Sequence, residues 1–290
     1  EKPSVGLKLM ERSGTLNQFL PELVACRNVI QADVRGNHSF DVLDHLFYSC
    51  DAGCFYPFDQ VTSAKKDGTA VFLSVRIRLA ALFHEIGKPV VQNIEERENI
   101  GTCYTFYNHE RESAIITGKI MERLRFPKSI TMHVCHLINL HMFHYEPLWT
   151  DAAIRRFLVR LSPPAGVYSE FEKTKALKQT FTDLIGLRIA DIQGMKNASS
   201  QNIQDESSQN LMELENRINK MLDENAAFTL KDLAVSGKDL IAIGIPAGKE
   251  IGVILNTLLD VVIENQKMNT KESLLKLVIE DFKCLSCSKE

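Results

Sequence analysis

The sequence contains no run of 18 or more uninterrupted apolar residues, which excludes a conventional membrane-spanning helix. Nor does one sign of charge dominate. With 34 Lys and Arg against 37 Asp and Glu, the formal net charge is -3. A nucleic-acid partner must therefore meet a local basic patch rather than a basic chain. Zinc-type cysteine spacing is also missing. The seven cysteines are odd in number and scattered, and Cys50 and Cys54 stand four apart. One C-x-x-C, Cys284 with Cys287, has no second pair or nearby His pair to complete four ligands. Free thiols in a reducing cytoplasm are the expectation. Strict two-residue alternation is scarce, which argues against a large sheet. The N-terminus, EKPSVGLKLMERSG, is too charged for a signal peptide, and it lacks an initiator Met. It reads as the start of a fragment of a longer protein.

What is present is ordinary globular composition, 44% hydrophobic and 24% charged over 290 residues, enough for one large core or two domains. Apolar residues recur at helical spacing almost everywhere. Val75, Leu79, Leu82, Phe83 and Ile86 form one stripe, and Ile154, Phe157, Leu158 and Leu161 another. Ile251, Ile254, Leu255, Leu258 and Leu259 form a third, and residues 211–222 read as an amphipathic helix. The expectation is an all-α chain. Residues 103–107 are the one candidate extended piece. Breaks are expected at 57–68, at the charged loop 95–101, and at Ser162-Pro163-Pro164-Ala165-Gly166. The polar stretch 197–210, NASSQNIQDESSQN, is a candidate linker. The linker predicts a domain boundary near residue 205; the expected organisation is a helical connection over 1–35, a helical domain over 36–204 and a smaller helical domain over 205–290.

All eight histidines lie between residues 38 and 144. His38 and His144 read as surface residues, and His133 and His136 stand three apart on one helix. Taken alone, His84 in its apolar helix reads as a buried side chain with one hydrogen bond. The combination of His45, His84-Glu85, His109, His141 and Asp191 is different, because imidazoles and carboxylates from separate helices can converge on a transition metal. Such an ion would polarise a phosphoryl oxygen and activate water.

The same residues carry a resemblance. RLAALFHEIGKP (78–89) is followed by FYNHERESA (106–114), RLRFPKSI, HLINLHM and DAAIRRFLVRL, then by residues 229–270 and, upstream, 14–31. In this order they resemble the helical C-terminal region of CCA-adding tRNA nucleotidyltransferases and bacterial poly(A) polymerases, which includes an HD-superfamily domain. The resemblance implies metal ligands at His45, His84, Glu85 and Asp191, with His109 and His141 as phosphate or second-metal contacts. Ni, Mn or another transition metal would suit that site. It also implies tRNA or other RNA 3′ ends as partners. A head domain before residue 1 would use Mg and add CTP or ATP.

Two departures from the family stand out. The chain has no D-x-D, the paired carboxylates with which the head adds nucleotides. It also has His84-Glu85 where the family has His-Asp, which argues against hydrolase activity and leaves metal binding open.

Ser236 is expected to cap a helix starting near Gly237. Gly244 to Gly248 is expected to turn tightly, with Pro246 in the first turn of the next helix. That helix start, with Lys249 and Lys238, either approaches an RNA phosphate or is an ordinary packing element. Arg155 and Arg156 are further RNA candidates, alongside Arg123, Arg125 and Arg160. Three functions follow: an RNA-binding scaffold of a nucleotidyltransferase, a free-standing metal phosphohydrolase, or a helical binding module with a decayed metal site.

Overall fold

A computed structural model describes residues 2–31, 40–53, 69–97, 101–162, 173–195, 206–223 and 229–287. The breaks expected at 57–68 and within 163–166, most of the linker at 197–210, His38, Cys54 and the boundary near 205 lie outside them. The described chain is all-α apart from one hairpin. It forms two compact units: residues 1–144 with 163–211, and residues 145–162 with 212–290.

The first unit opens with the short helices α1 (Pro3–Arg12), α2 (Thr15–Phe19) and α3 (Pro21–Val24). Next come α4 (Val42–Ala52), α5 (Thr69–Phe83) and α6 (Lys88–Val91), then α7 (His109–Arg123), α8 (Lys128–Leu140) and α10 (Lys173–Met195). The Asp41 side chain caps α4 by accepting the Asp44 N–H at 2.9 Å. The same carboxylate, with Asp44 and Glu11, receives the Arg27 guanidinium. α10 packs against α4, α5 and α8. Gly194 makes the α4–α10 crossing possible, because a Cβ there would sit 2.0 Å from Ser49 Oγ and 2.8 Å from its backbone N. His45 is one turn before Ser49 and Asp191 is one turn before Gly194. The close crossing therefore brings the two side chains together.

Two sequence expectations need correcting. Residues 95–97 are not loop: β1 (Asn93–Arg97) pairs antiparallel with β2 (Gly101–Thr105), so the extended piece also starts two residues earlier than read. The hairpin carries Glu95, Glu96 and a largely exposed Ile94, so it has no core face to leave an alternating signature. Val75 is exposed, while Ile77, Ala80 and Ala81 are buried. The second half of α5 is thus enclosed on several sides rather than along one stripe.

The second unit holds α9 (Asp151–Leu161), the part of α11 (Glu206–Asp223) beyond Leu211, α12 (Gly237–Ala242), α13 (Lys249–Glu264) and α14 (Lys271–Cys287). The predicted stripes on α9 and α11 are buried, and α13 follows its pattern. Leu258 and Leu259 join Leu233, Val235, Leu240, Ile245, Val262, Ile263 and Leu274 in one apolar core. Ile251, Ile254 and Leu255 cover its edge.

Candidate functional site

Five helix-borne segments of the first unit converge on a buried polar centre. His45 comes from α4, His84 and Glu85 follow α5, and His109 is the first residue of α7. His141 caps the C-terminus of α8, and Asp191 sits in α10. Each is 6% exposed or less. One local device recurs. The Nδ1 atoms of His84, His109 and His141 lie 2.9, 2.8 and 2.7 Å from the carbonyls of Ala81, Phe106 and Ile138, each three residues earlier. A carbonyl only accepts, so each Nδ1 carries the proton and donates it. For His84 and His141 the acceptor lies in the last turn of the preceding helix, α5 and α8 respectively. In the neutral ring this turns the Nε2 lone pair inward, the arrangement of a metal-ligating histidine.

The donors form two groups. His45 Nε2, His84 Nε2 and Asp191 Oδ1 make a triangle with sides of 3.3, 3.3 and 3.2 Å. Bonds of about 2.1 Å to one ion place neighbouring ligands ~3.0–3.4 Å apart, so this triangle fits a transition metal. Electrostatics agrees. Burial pushes the His84 imidazole below its ordinary pKa, so the ring is neutral near pH 7. Burial opposes charge on Asp191, yet its neighbours, His45 and Arg188 among them, hold its carboxyl well below the usual range. A lone pair thus faces a carboxylate oxygen at 3.3 Å, a repulsive contact that a cation between them relieves.

Glu85 belongs to the second group, with His84 and His141, whose ligand atoms lie within 4.8 Å of one another. Its Oε1 faces His109 Nε2 at 3.5 Å and His141 Nε2 at 3.9 Å, and its Oε2 meets Lys88 Nζ. Burial works against the Glu85 charge, but Lys88, His109 and His141 keep its carboxyl well below the usual range. Burial likewise opposes charge on His109, while the Glu85 carboxylate raises its pKa above the ordinary value. The structure therefore gathers all six sequence-predicted residues but separates Glu85 from the triangle.

Sequence reasoning missed four supporting residues. Lys88 and Gln31 form a buried pair, Nζ donating to Oε1 at 2.6 Å, and Arg188 reaches Asp191. Gly87 lets the His84–Glu85 turn lie on the start of α7, since a Cβ there would be 2.6 Å from Ser113 N and 2.8 Å from His109 O. Lys88, three residues after Glu85, was readable as a close pair; Gln31 left no signal. His133 does not chelate with His136. Its Nε2 faces buried Asp183 at 2.8 Å, beside Arg76 and Gln179.

In the second unit, Ser236 caps α12, and its N–H and hydroxyl both donate to Asp239. Gly244 turns the chain at φ 99°, where only glycine is unstrained. α13 then begins at Lys249, so Pro246 lies in the turn and not in the helix. Ile245 is buried, whereas Gly244, Pro246, Ala247, Gly248 and Lys249 are exposed, as is Lys238. Arg155 and Arg156 are committed within the unit. Arg155 donates to the Ile263 carbonyl at 2.6 Å, and Arg156 pairs with Glu264. In the first unit, Arg123 forms a two-point ion pair with Glu22.

Known proteins share this chain's pattern. Residues 108–278 match the family model for tRNA nucleotidyltransferase domain 2. A CC-adding tRNA nucleotidyltransferase of Thermus thermophilus is 28% identical over 163 residues, covering 55% of this chain and 32% of the relative. An A-adding tRNA nucleotidyltransferase of Deinococcus radiodurans is 25% identical over 254 residues, covering 87% of this chain and 49% of the relative. The chain thus spans about half or less of the length of these curated relatives. The family model covers more than half of the chain, and the chain belongs to the tRNA nucleotidyltransferase domain 2 family.

Proposed function

We propose that this chain is the RNA-holding helical region of a tRNA nucleotidyltransferase. Its partner is a tRNA or another RNA 3′ end, and CTP or ATP is handled by a head domain that this sequence does not include. The observation that carries this reading is the exposed turn before α13. Gly244, Pro246, Ala247 and Gly248 offer backbone with little side-chain bulk. Lys238 and Lys249 stand exposed beside it, and neither has an ion-pair partner among the described residues. A phosphate backbone can approach such a surface, with the free N–H groups of a 16-residue helix behind it. Arg155 and Arg156 act mainly as supports for the end of α13. The test is a tRNA-binding titration of the chain at several salt concentrations. Lys238→Glu with Lys249→Glu should weaken binding about tenfold or more and flatten the salt dependence. Unchanged affinity in a folded double variant would overturn the reading.

A second reading concerns the polar centre. We propose that it holds one divalent transition ion, the inward Nε2 lone pairs and the close His84–Asp191 contact being its support. When bound, such an ion supplies polarisation of a phosphoryl oxygen. The protein's own part is to keep the His84 ring neutral by burial and to orient His84, His109 and His141 through the backbone carbonyls that accept from Nδ1.

A further inference from the structure

The two carboxylates of the polar centre are placed in opposite electrostatic situations. Asp191 Oδ1 points at two imidazole nitrogens, 3.2 and 3.3 Å away. Glu85 Oε2 is taken by Lys88, which is itself anchored by Gln31 at 2.6 Å and lies over the Phe106 ring. Lys88 and Glu85 are both 6% exposed, so water and salt do little to loosen the pair. Glu85 Oε1 faces His109 and His141 rather than the triangle.

We infer that a metal ion at this site takes His45, His84 and Asp191 as its protein ligands, and that Lys88 acts as a built-in cation holding Glu85 out of the ligand set. This rests on the metal-site reading above. The physical reason is competition. To ligate the ion through Oε2, Glu85 must leave Lys88 and strand a buried ammonium, the expensive way to break a buried pair, and to ligate through Oε1 it must turn away from His109 and His141. The ion would also sit close to a second fixed cation, which favours keeping the Glu85 charge where it is. A three-residue ligand set leaves positions open for oxygen ligands from outside, such as water or a phosphate ester. The centre is therefore one-sided: its α4–α10 end recruits a cation, and its α6–α7 end already carries one.

The test is a Co²⁺ titration of the full 290-residue chain, stripped of metal, read by the visible absorption of the bound ion and by calorimetry. The wild type should bind one ion. Asp191→Asn should weaken it about 100-fold or more, as ligand loss exceeds the usual cost of losing a supporting group. Glu85→Gln uncovers the Lys88 charge but removes no ligand, so it should cost no more than about tenfold in affinity, with the absorption spectrum kept. Lys88→Met should tighten binding about tenfold and alter the spectrum, because Glu85 becomes free to ligate. Should Lys88→Met fail to fold, Glu85→Gln decides alone. A loss in Glu85→Gln as large as that in Asp191→Asn overturns the ligand assignment and leaves the metal site standing. No Co²⁺ uptake by the wild type overturns the metal site and the assignment together.

Discussion

The two units of this chain solve the problem of a core in different ways. Every buried polar or charged residue described, from Ser4 to Asp191, belongs to the first unit, and none belongs to the second. The second unit is closed by Leu, Ile and Val packing. A buried polar centre costs desolvation and requires that each group find a partner. Such a centre is retained where it positions chemistry. An all-apolar core with an exposed glycine turn and free lysines suits a surface that holds a charged partner without reacting with it. The difference teaches where to look in each: inside the first unit, and outside the second.

Unfolding measurements can break this comparison, because Trp149 is the one tryptophan and lies in the second unit against Tyr145 and Phe157. Its fluorescence reports that unit, while far-UV helicity reports both. The largest effect is expected for Asp183→Ala, which strands Arg76 and His133 in the first unit. It should cost about 3–5 kcal/mol, as breaking a buried pair does, in the helicity transition with little movement of the tryptophan transition. Leu240→Ala should cost about 2–5 kcal/mol, through the cavity it leaves, and should move the tryptophan transition. Gly194→Ala should cost about 1–3 kcal/mol by overpacking against Ser49, and should weaken metal binding by parting His45 from Asp191. Shifts of the opposite assignment would dissolve the distinction between the units.

Acid should show a smaller asymmetry. Glu85 and Asp191 have folded pKa values well below their unfolded ones. Their stabilisation is present above about pH 4 and is lost as pH falls through the folded values. His84, lowered by burial, also favours unfolding once pH drops below about 6.5. His109, raised by Glu85, opposes this: its contribution is full below about 6.5 and is lost as pH rises through its folded value. The first unit should therefore lose helicity on acidification before the Trp149 environment changes.

The helices were legible in the sequence because apolar spacing is a periodic signal, and the set His45, His84, Glu85, His109, His141 and Asp191 was legible through the residue types and the family resemblance. Ile154, Phe157, Leu158 and Leu161 repeat with the helix and are buried. The allegiance of Glu85 was not legible. It is decided by Lys88 and by Gln31, which lies 57 residues before Lys88 in sequence, and so depends on tertiary packing. Of the hairpin at 93–105 only the end of the second strand was read, because its strands have no buried face to impose alternation. The employment of Arg155 at the end of α13 depends on a contact 108 residues away, which no local pattern encodes.

The most direct test of the division of labour is tRNA affinity, measured in parallel for two variants that reverse surface charge in different units. Lys249→Glu changes the exposed turn of the second unit, and Lys128→Glu changes an exposed lysine of the first. The account predicts that Lys249→Glu weakens tRNA binding severalfold and that Lys128→Glu leaves it within about twofold, both at one fixed salt concentration. Equal losses from the two, or a loss confined to Lys128→Glu, would contradict it.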